Sequence, residues 1–343
     1  MEDEAGYQAE QSRRRRGTFW ALTAALLLVM LAGLLSGAVA IGVGDLWHMA
    51  GVRLGFTEDT GRLTDSVLWA IRLPRVLAGV VAGAGLGVAG VALQGTFRNP
   101  MADPHLVGVS PAAGLGAVAG IALTPTGGSP IVMMLGAAVG GVALAMLMRR
   151  IARNTLDSGQ LILIGLALGL AVLAVLGAAV LAWDSPRVPT FTFWVFGGLS
   201  GTTWSTLGAA TPFVVVGSGI IVGVSRSLDL LALGEDEARH LGIDVSRLTT
   251  VTLVAVGIIV GGAVGLAGVI GFVGLVVPLL LRNWAGPSHR MLTLLAALGG
   301  ATMLVAVDIL ARTIAAPVEI PVGLLTAIVG SPVFVWFLLR RSR

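Results

Sequence analysis

The chain has 343 residues, of which 56% are hydrophobic and only 12% are charged. Soluble domains carry about 25% charged residues, so this composition excludes an ordinary soluble domain and predicts a multi-pass membrane protein. The formal net charge is only +4 at pH 7, and the basic residues are scattered between apolar runs. We therefore predict that the protein has no nucleic-acid partner.

Two residue types are missing, and each absence removes a class of chemistry. All 22 basic residues are Arg, so there is no Lys for a nucleotide-binding P-loop, a Schiff base or a Ser-Lys catalytic pair. There is no Cys, which excludes a disulfide, a thiolate nucleophile and a thiolate-bound metal. We predict no catalytic residue, no cofactor and no metal site. Any use of ATP would depend on another chain.

Charge-poor runs predict the membrane-spanning helices, because crossing ~30 Å of hydrocarbon at ~1.5 Å per residue takes about 20 residues. The first run follows a cytoplasmic tail, 1–17, and is longer than the apolar core of a signal peptide, so we predict an uncleaved first helix. The stretch 248–281 has no charge, and it is too long for one crossing but short for two. The other predicted spans are 18–42, 76–96, 106–123, 131–148, 160–183, 205–224, 291–314 and 321–339.

The distribution of Arg decides how often 248–281 crosses. With two crossings there are ten spans, both termini share one side, and the 22 Arg residues divide into 16 on that side and six on the other. The positive-inside rule makes the side of sixteen cytoplasmic. We therefore predict an all-α protein with one transmembrane domain, 18–340, and both termini in the cytoplasm. A tight turn at Gly265, Gly268 and Gly271 would separate the seventh span from a short eighth helix.

Glycines recur at a constant offset of 178 residues, which carries the second predicted span onto the seventh. Since five spans is an odd number, two such halves, about 18–183 and 205–340, would face opposite ways as an inverted repeat. The alternative is that small residues at this spacing are simply common wherever membrane helices pack closely. The coinciding glycines are Gly79, Gly83, Gly87 and Gly90 in the first half and Gly257, Gly261, Gly265 and Gly268 in the second.

Few charges are predicted inside the membrane. Asp308 and Arg312 are the only charged residues well inside a predicted span, and as i,i+4 neighbours they neutralise one another. All four His residues fall in predicted loops. An ion-coupled secondary carrier, which the repeat alone would equally allow, usually needs ionisable groups deep in the bilayer. The pattern favours a wide pathway driven from outside the membrane. A scaffold without a pathway is a third alternative.

The longest charged loop on the cytoplasmic side is 225–247. Glu235 and Arg239 are spaced i,i+4, and Gly242 is placed to stop a short helix. The acidic run 235–237 would be repelled by anionic lipid, so a protein partner is favoured over the membrane surface for this amphipathic segment. A solvated connector is the alternative.

Six ordered segments are specific when taken together: 71–75, 94–104, 233–242, 271–278, 308–312 and 319–334. They resemble the signature segments of FecCD-type permeases, the membrane subunits of binding-protein-dependent ABC importers for iron-siderophores, haem and cobalamin. The resemblance extends over the chain from about residue 18. Two positions depart from the pattern, since Met101 occupies a usual Leu position and Ala112 stands where Gly is common.

The resemblance implies a ten-helix subunit of the cell membrane that pairs with a second permease copy. This pair would sit on two ATP-binding cassette ATPase subunits and receive substrate from an extracytoplasmic substrate-binding protein. Because most of the family carries them, an iron chelate, either a ferric siderophore or haem, is the favoured substrate. Cobalamin is the alternative, since no group of His, Tyr or Cys side chains along the helices identifies the solute.

The resemblance also implies roles for three sets of residues. Arg72, Arg75 and Arg312 match outer-face arginines that pair with carboxylates of the binding protein; interfacial snorkelling is their alternative. Ser158 and Gly159 lie in the region that narrows the cytoplasmic mouth of the pathway. The residues that match the ATPase-coupling segment are Leu228, Leu233, Gly234, Glu235, Ala238, Arg239, Leu241 and Gly242.

Overall fold

The computed structural model describes residues 2–37, 39–58, 61–124, 129–152, 158–182, 191–286 and 288–341. These residues are predominantly helical, and a π-helical turn, Leu68–Arg72, lies between the third and fourth helices. In chain order the helices are α1 (Glu2–Leu35), α2 (Val43–Arg53), α3 (Leu63–Val67), α4 (Leu73–Thr96), α5 (Val109–Ala122), α6 (Pro130–Ala152), α7 (Ser158–Ala182), α8 (Phe191–Phe196), α9 (Trp204–Leu231), α10 (Glu235–His240), α11 (Val245–Ala267), α12 (Val273–Ala285), α13 (His289–Thr313) and α14 (Val322–Arg341).

The helices occupy all ten predicted spans. Among the described residues, seven helical segments are long and apolar enough to cross a membrane. Three further apolar helices, α5, α12 and α14, have shorter apolar stretches and fall at the third, eighth and tenth predicted positions. The prediction of an all-helical, multi-pass membrane protein is confirmed.

The first span differs from its prediction at both ends. Helix α1 begins at Glu2, so the predicted tail is helical, and it ends at Leu35 instead of continuing to residue 42. Gly37 follows with a φ of +142°, a backbone conformation that favours glycine. Carbonyl groups near this end accept hydrogen bonds from Arg72 and Arg312, which stabilise the helix end in place of another helical turn.

The second span starts earlier than predicted. Helices α3 and α4 and the π-helical turn between them form one continuous segment from Leu63 to Thr96. Pro74 lies in the first turn of α4 and has no N–H to donate, while the N–H of Leu73 bonds to the carbonyl of Leu68, five residues back. The π-helical turn thus lets the helix continue through this point. Arg72 and Arg75 consequently lie within a helix.

The charge-free stretch forms two helices, as predicted, with α12 as the short helix of 13 residues. Helix α11 ends at Ala267, and Gly268 follows it with a φ of +67°. The predicted turn is correct for Gly268 and Gly271 but wrong for Gly265, which remains inside α11. The carbonyl of Ala267 accepts a hydrogen bond from the N–H of Gly198, so protein groups pair this helix end.

Glycines on α4 and α11 make equivalent contacts with two different helices. Gly79, Gly83 and Gly87 face positions 305, 300 and 296 of α13, whereas Gly257, Gly261 and Gly265 face positions 142, 138 and 134 of α6. Both series descend their partner helix in steps of about one turn. In the order of the predicted spans, the second packs on the ninth and the seventh packs on the fourth. A duplication carries the second span onto the seventh and the fourth onto the ninth, so it predicts both pairings.

This reciprocal packing places α4 and α11 at the centre of the molecule. In each, 78% of the most apolar stretch is buried, against 6% for α1. Because α4 belongs to the first half and packs on α13 of the second, while α11 packs on α6, the two halves share one interior. Small residues permit this close approach, and van der Waals contact supplies the stabilisation that hydrophobic burial cannot provide in lipid.

Candidate functional site

Residues 225–247, the predicted coupling segment, contain more helix than predicted. Helix α9 continues to Leu231, seven residues beyond the predicted end of the sixth span, so Leu228 lies in α9. A turn ends at Gly234, whose φ is +137°, and α10 then starts at Glu235. The side chain of Asp244 accepts a hydrogen bond from the N–H of Arg247 and caps the start of α11.

The predicted ion pair and the predicted stop after the short helix are both present. Glu235 and Arg239 pair at 2.9 Å between carboxylate oxygen and guanidinium nitrogen. Gly242 has a φ of +83°, and its N–H donates to the carbonyl of Arg239, while the N–H of Ile243 donates to that of Ala238. The ion pair is solvent-exposed and contributes little stability. The helix is instead held by its buried side.

The two faces of the coupling segment differ in chemistry. Leu228 and Ala238 are fully buried in a small apolar cluster with Leu231, Val245 and Leu248. This cluster fixes α10 against the ends of α9 and α11.

On the opposite side, Leu233 and Leu241 are 65% and 58% exposed. Glu235 and Arg239 are exposed as well. The turn thus presents two leucines to solvent beside charged groups.

A hydrogen-bonded link joins the coupling segment to the helices behind it. Asp229 of α9 accepts from the backbone N–H of His289 at 2.6 Å, and its carboxylate lies 2.7 Å from Nδ1 of the same residue. The His289 ring packs against Gly95 in the last turn of α4. The sequence gives no signal for this link, because residues 60 positions apart carry no shared pattern.

The candidate cytoplasmic gate falls largely outside the described residues. Helix α7 begins at Ser158, followed by Gly159, and the preceding positions 153–157 are among those not described. The side chains of the two candidate residues are not described either. Their assignment to the gate stays a prediction.

At the opposite end of the molecule, Arg72 is buried against the end of α1. Its Nη1 donates to the carbonyls of Leu34 at 2.7 Å and Leu35 at 2.9 Å, and its Nη2 donates to the carbonyl of Val39. Helix C-termini leave carbonyl groups without helical partners and carry partial negative charge. The Arg72 guanidinium donates hydrogen bonds to these carbonyl groups and places a positive charge beside their partial negative charge.

Arg75 forms the centre of an ionic cluster that is buried at Asp308 and solvent-exposed at Glu319. Its Nε and Nη2 donate to Asp308 at 2.9–3.1 Å, and its Nη1 and Nη2 donate to Glu319 at 2.8 and 3.0 Å. Asp308 is only 2% exposed. Asp308 therefore pairs chiefly with Arg75, and the expected neighbour Arg312 lies 3.5 Å away through its Nε.

Arg312 completes this group, which we name the outer arginine cluster: Arg72, Arg75, Arg312, Asp308 and Glu319. Arg312 donates to the carbonyls of Gly33 and Ser36 at 2.6 and 3.0 Å, so it and Arg72 hold the same end of α1. The structure thus brings all three predicted docking arginines together. All three are engaged with groups of their own chain.

These features define a class of protein: a multi-pass helical membrane protein with the predicted coupling segment at one end and a cluster of charged residues at the other. A sequence model of the FecCD transport family matches residues 25–340. The chain belongs to the FecCD transport family.

Characterised relatives are similar over nearly their full length. The hemin transport system permease protein HmuU of Yersinia pestis is 38% identical over 322 residues, which covers 91% of this chain and 96% of the relative. The vitamin B12 import system permease protein BtuC of Salmonella arizonae is 36% identical over 333 residues, covering 97% and 98%.

Solved structures agree with the fold. A metal-chelate type ABC transporter in an inward-facing conformation superposes with a TM-score of 0.78 at 29% identity and covers 94% of this chain and 98% of its own. A chain of PsaBC from Streptococcus pneumoniae, at 16% identity and a TM-score of 0.52, shares the fold.

Proposed function

We propose that this permease forms the translocation pathway of a binding-protein-dependent ABC importer. It would act as a dimer with a second permease copy, above two ATPase subunits that hydrolyse the ATP, and would receive its solute from an extracytoplasmic binding protein. ATP-driven closure of the ATPase subunits would draw the coupling segments together and change the side to which the pathway opens. Ser158 and Gly159 are proposed to narrow its cytoplasmic end.

The geometry of the coupling segment is the observation that carries this proposal. Leu233 and Leu241 project from a turn whose other side is anchored by Leu228 and Ala238. A surface turn that is anchored in this way would transmit a displacement to the helices that it contacts. Through the contact between Asp229 and His289, this displacement would reach α13 and α4.

We propose an iron chelate, either haem or a ferric siderophore, as the transported solute. The hemin permease relative and the structural neighbour of the metal-chelate type support this class. Cobalamin is the alternative, because the vitamin B12 permease relative is almost as similar at 36% identity against 38%. The ligand that binds the cognate binding protein would distinguish the two.

The rival mechanism is ion-coupled transport. It would need an ionisable group that is free to change its charge within the membrane. The outer arginine cluster does not offer one, since its two carboxylates, Asp308 and Glu319, are both held by Arg75. This arrangement favours a structural role for the two carboxylates of the cluster.

Uptake by reconstituted proteoliposomes tests the function and the coupling surface together. We expect solute uptake to require ATP, the ATPase and the loaded binding protein, and to be absent with a proton gradient alone. Replacing Leu233 and Leu241 with Ser should reduce co-purification of the ATPase and uptake at least tenfold, because the apolar contacts are lost from an exposed surface that does not support folding.

A matched control is Leu123→Ser, which changes an exposed leucine at the far end of α5. ATPase co-purification should remain at the wild-type level in this variant. Uptake driven by a proton gradient without ATP would refute the importer. Full ATPase binding by the Leu233→Ser, Leu241→Ser double variant would refute the role of the coupling surface.

We also propose that the outer arginine cluster helps to receive the binding protein. Replacing Arg72 and Arg312 with Gln should weaken docking about tenfold or more, because charge and shape are lost at the end of α1. The matched control replaces Arg53 and Arg62, which are exposed on the same side, with Gln. Docking affinity is measured on folded protein, as judged by gel filtration. If the docking affinity falls only in the variant with Arg53 and Arg62 replaced, the exposed arginines and not the cluster bind the binding protein.

A further inference from the structure

Glu319 is the exposed member of the outer arginine cluster. Its side chain is 43% exposed, whereas the side chain of Asp308, the other carboxylate, is 2% exposed. Glu319 ends a stretch, 313–319, in which every residue is solvent-exposed. The cluster therefore has one carboxylate in the protein interior and one at the surface.

The two carboxylates bind different edges of the Arg75 guanidinium. Asp308 accepts hydrogen bonds from Nε and Nη2 at 2.9–3.1 Å, and Glu319 accepts from Nη1 and Nη2 at 2.8 and 3.0 Å. The pairing with Glu319 is bidentate, the geometry in which a guanidinium binds a carboxylate most specifically. If the Glu319 side chain leaves, Arg75 stays paired with Asp308 and presents its Nη1–Nη2 edge to another carboxylate.

The Glu319 side chain can leave without a change in the backbone. The N–H of Val318 donates to the carbonyl of Ala315 at 2.9 Å, and the N–H of Ile320 donates to the carbonyl of Ala311 at 2.9 Å. These bonds fix the chain on both sides of Glu319 and do not involve its side chain. An ion pair with an exposed partner contributes little stability, because water replaces the lost hydrogen bonds.

The cluster would attract a carboxylate more strongly without Glu319. Its three arginines carry three positive charges, the two carboxylates cancel two of them, and the carbonyl groups at the end of α1 contribute roughly half a negative charge. Little net charge is left while Glu319 occupies the Nη1–Nη2 edge. A carboxylate tethered to the same chain also acts at a high effective concentration, so it competes with an incoming group.

We propose that Glu319 is an internal competitor of the extracytoplasmic binding protein: it occupies the position on Arg75 that a carboxylate of the binding protein takes on docking. This role of Glu319 rests on the docking function proposed above for the outer arginine cluster. In the free permease Glu319 holds Arg75 in the orientation that the incoming carboxylate needs. On docking, the Glu319 side chain turns into solvent. The competition keeps docking weak enough for the binding protein to leave after delivery.

Docking of the cognate binding protein to the permease–ATPase complex in lipid nanodiscs tests this competition. Glu319→Gln keeps the size of the side chain and removes its charge. We expect docking to tighten about fivefold, because a charged acceptor binds a guanidinium roughly twice as strongly as a neutral one. Glu319→Asp keeps the charge but is too short to bind both Nη1 and Nη2, so docking should tighten as well. Surface plasmon resonance measures the dissociation constant on complexes that are monodisperse in gel filtration.

The matched control is Glu58→Gln, the same change at an exposed carboxylate between α2 and α3. Docking should stay at the wild-type level in this variant. Unchanged or weaker docking in the Glu319 variants would overturn the competition. Equal tightening in the control would also overturn it, because it would indicate a general effect of net charge. If the wild-type complex does not dock the binding protein at all, the docking function itself is refuted.

Discussion

Replacing Gly90 with Ala is expected to remove most of the folded permease from a detergent extract. A Cβ at this position would overlap the backbone carbonyl of Gly274 in α12, and a carbonyl cannot move aside as a side chain can. Overpacking of a close-packed interior costs about 1–3 kcal/mol, and more where backbone must shift. Because α4 is central, separation of α4 from α12 would also disturb α13. The fraction of monodisperse protein and the unfolding temperature measure the effect.

Gly219→Ala is the matched control for this substitution. Gly219 also lies inside a long helix, α9, but an added Cβ would meet no atom within 4 Å. Its stability should stay within about 1 kcal/mol of the wild type, which is the size of the difference in helix propensity between Gly and Ala. Equal stability of the Gly90 variant and the control would show that α4 and α12 do not touch as described.

Replacing Arg75 with Met is expected to cost about 3–5 kcal/mol, the range for removing one partner of a buried ion pair. Asp308 would remain buried with only Arg312 at 3.5 Å, and Glu319 would lose its two hydrogen bonds. Unfolding of the purified protein by heat or denaturing detergent measures the loss. Wild-type stability of the Arg75→Met variant would contradict the buried cluster.

A double-mutant cycle separates this interaction from simple loss of packing. Adding Asp308→Asn to Arg75→Met removes the buried carboxylate charge and should recover part of the stability, because no uncompensated negative charge remains at that position. Arg239→Met is the surface control. Its ion pairs with Glu235 and Asp236 are exposed, so its effect should stay below about 1 kcal/mol.

The positions of the helices were predictable from the sequence for a clear physical reason. Hydrocarbon thickness fixes the length of an apolar run, and the count of Arg on each side decided that 248–281 crosses twice. The recurring glycines predicted equivalent positions for α4 and α11, and these are the two helices that lie at the centre. These signals are local or periodic, so they can be recognised in one dimension.

The contacts of the charged residues could not be predicted in this way. Arg75 and Asp308 are 233 positions apart, and the i,i+4 spacing of Asp308 and Arg312 indicated a different main partner. Glu319 was not expected in the cluster at all. Helix ends were missed at α1 and α9, since the groups that decide where a helix stops or continues come from distant parts of the chain.

The reciprocal glycine contacts have a consequence for the order in which the chain is made. Helix α4 is synthesised early, yet its packing surface on α13 is not translated until more than 200 residues later. Until then its row of small residues faces lipid or a temporary neighbour. The first half of the protein therefore forms its internal contacts, such as those between α5 and α6, before α4 can contact α13.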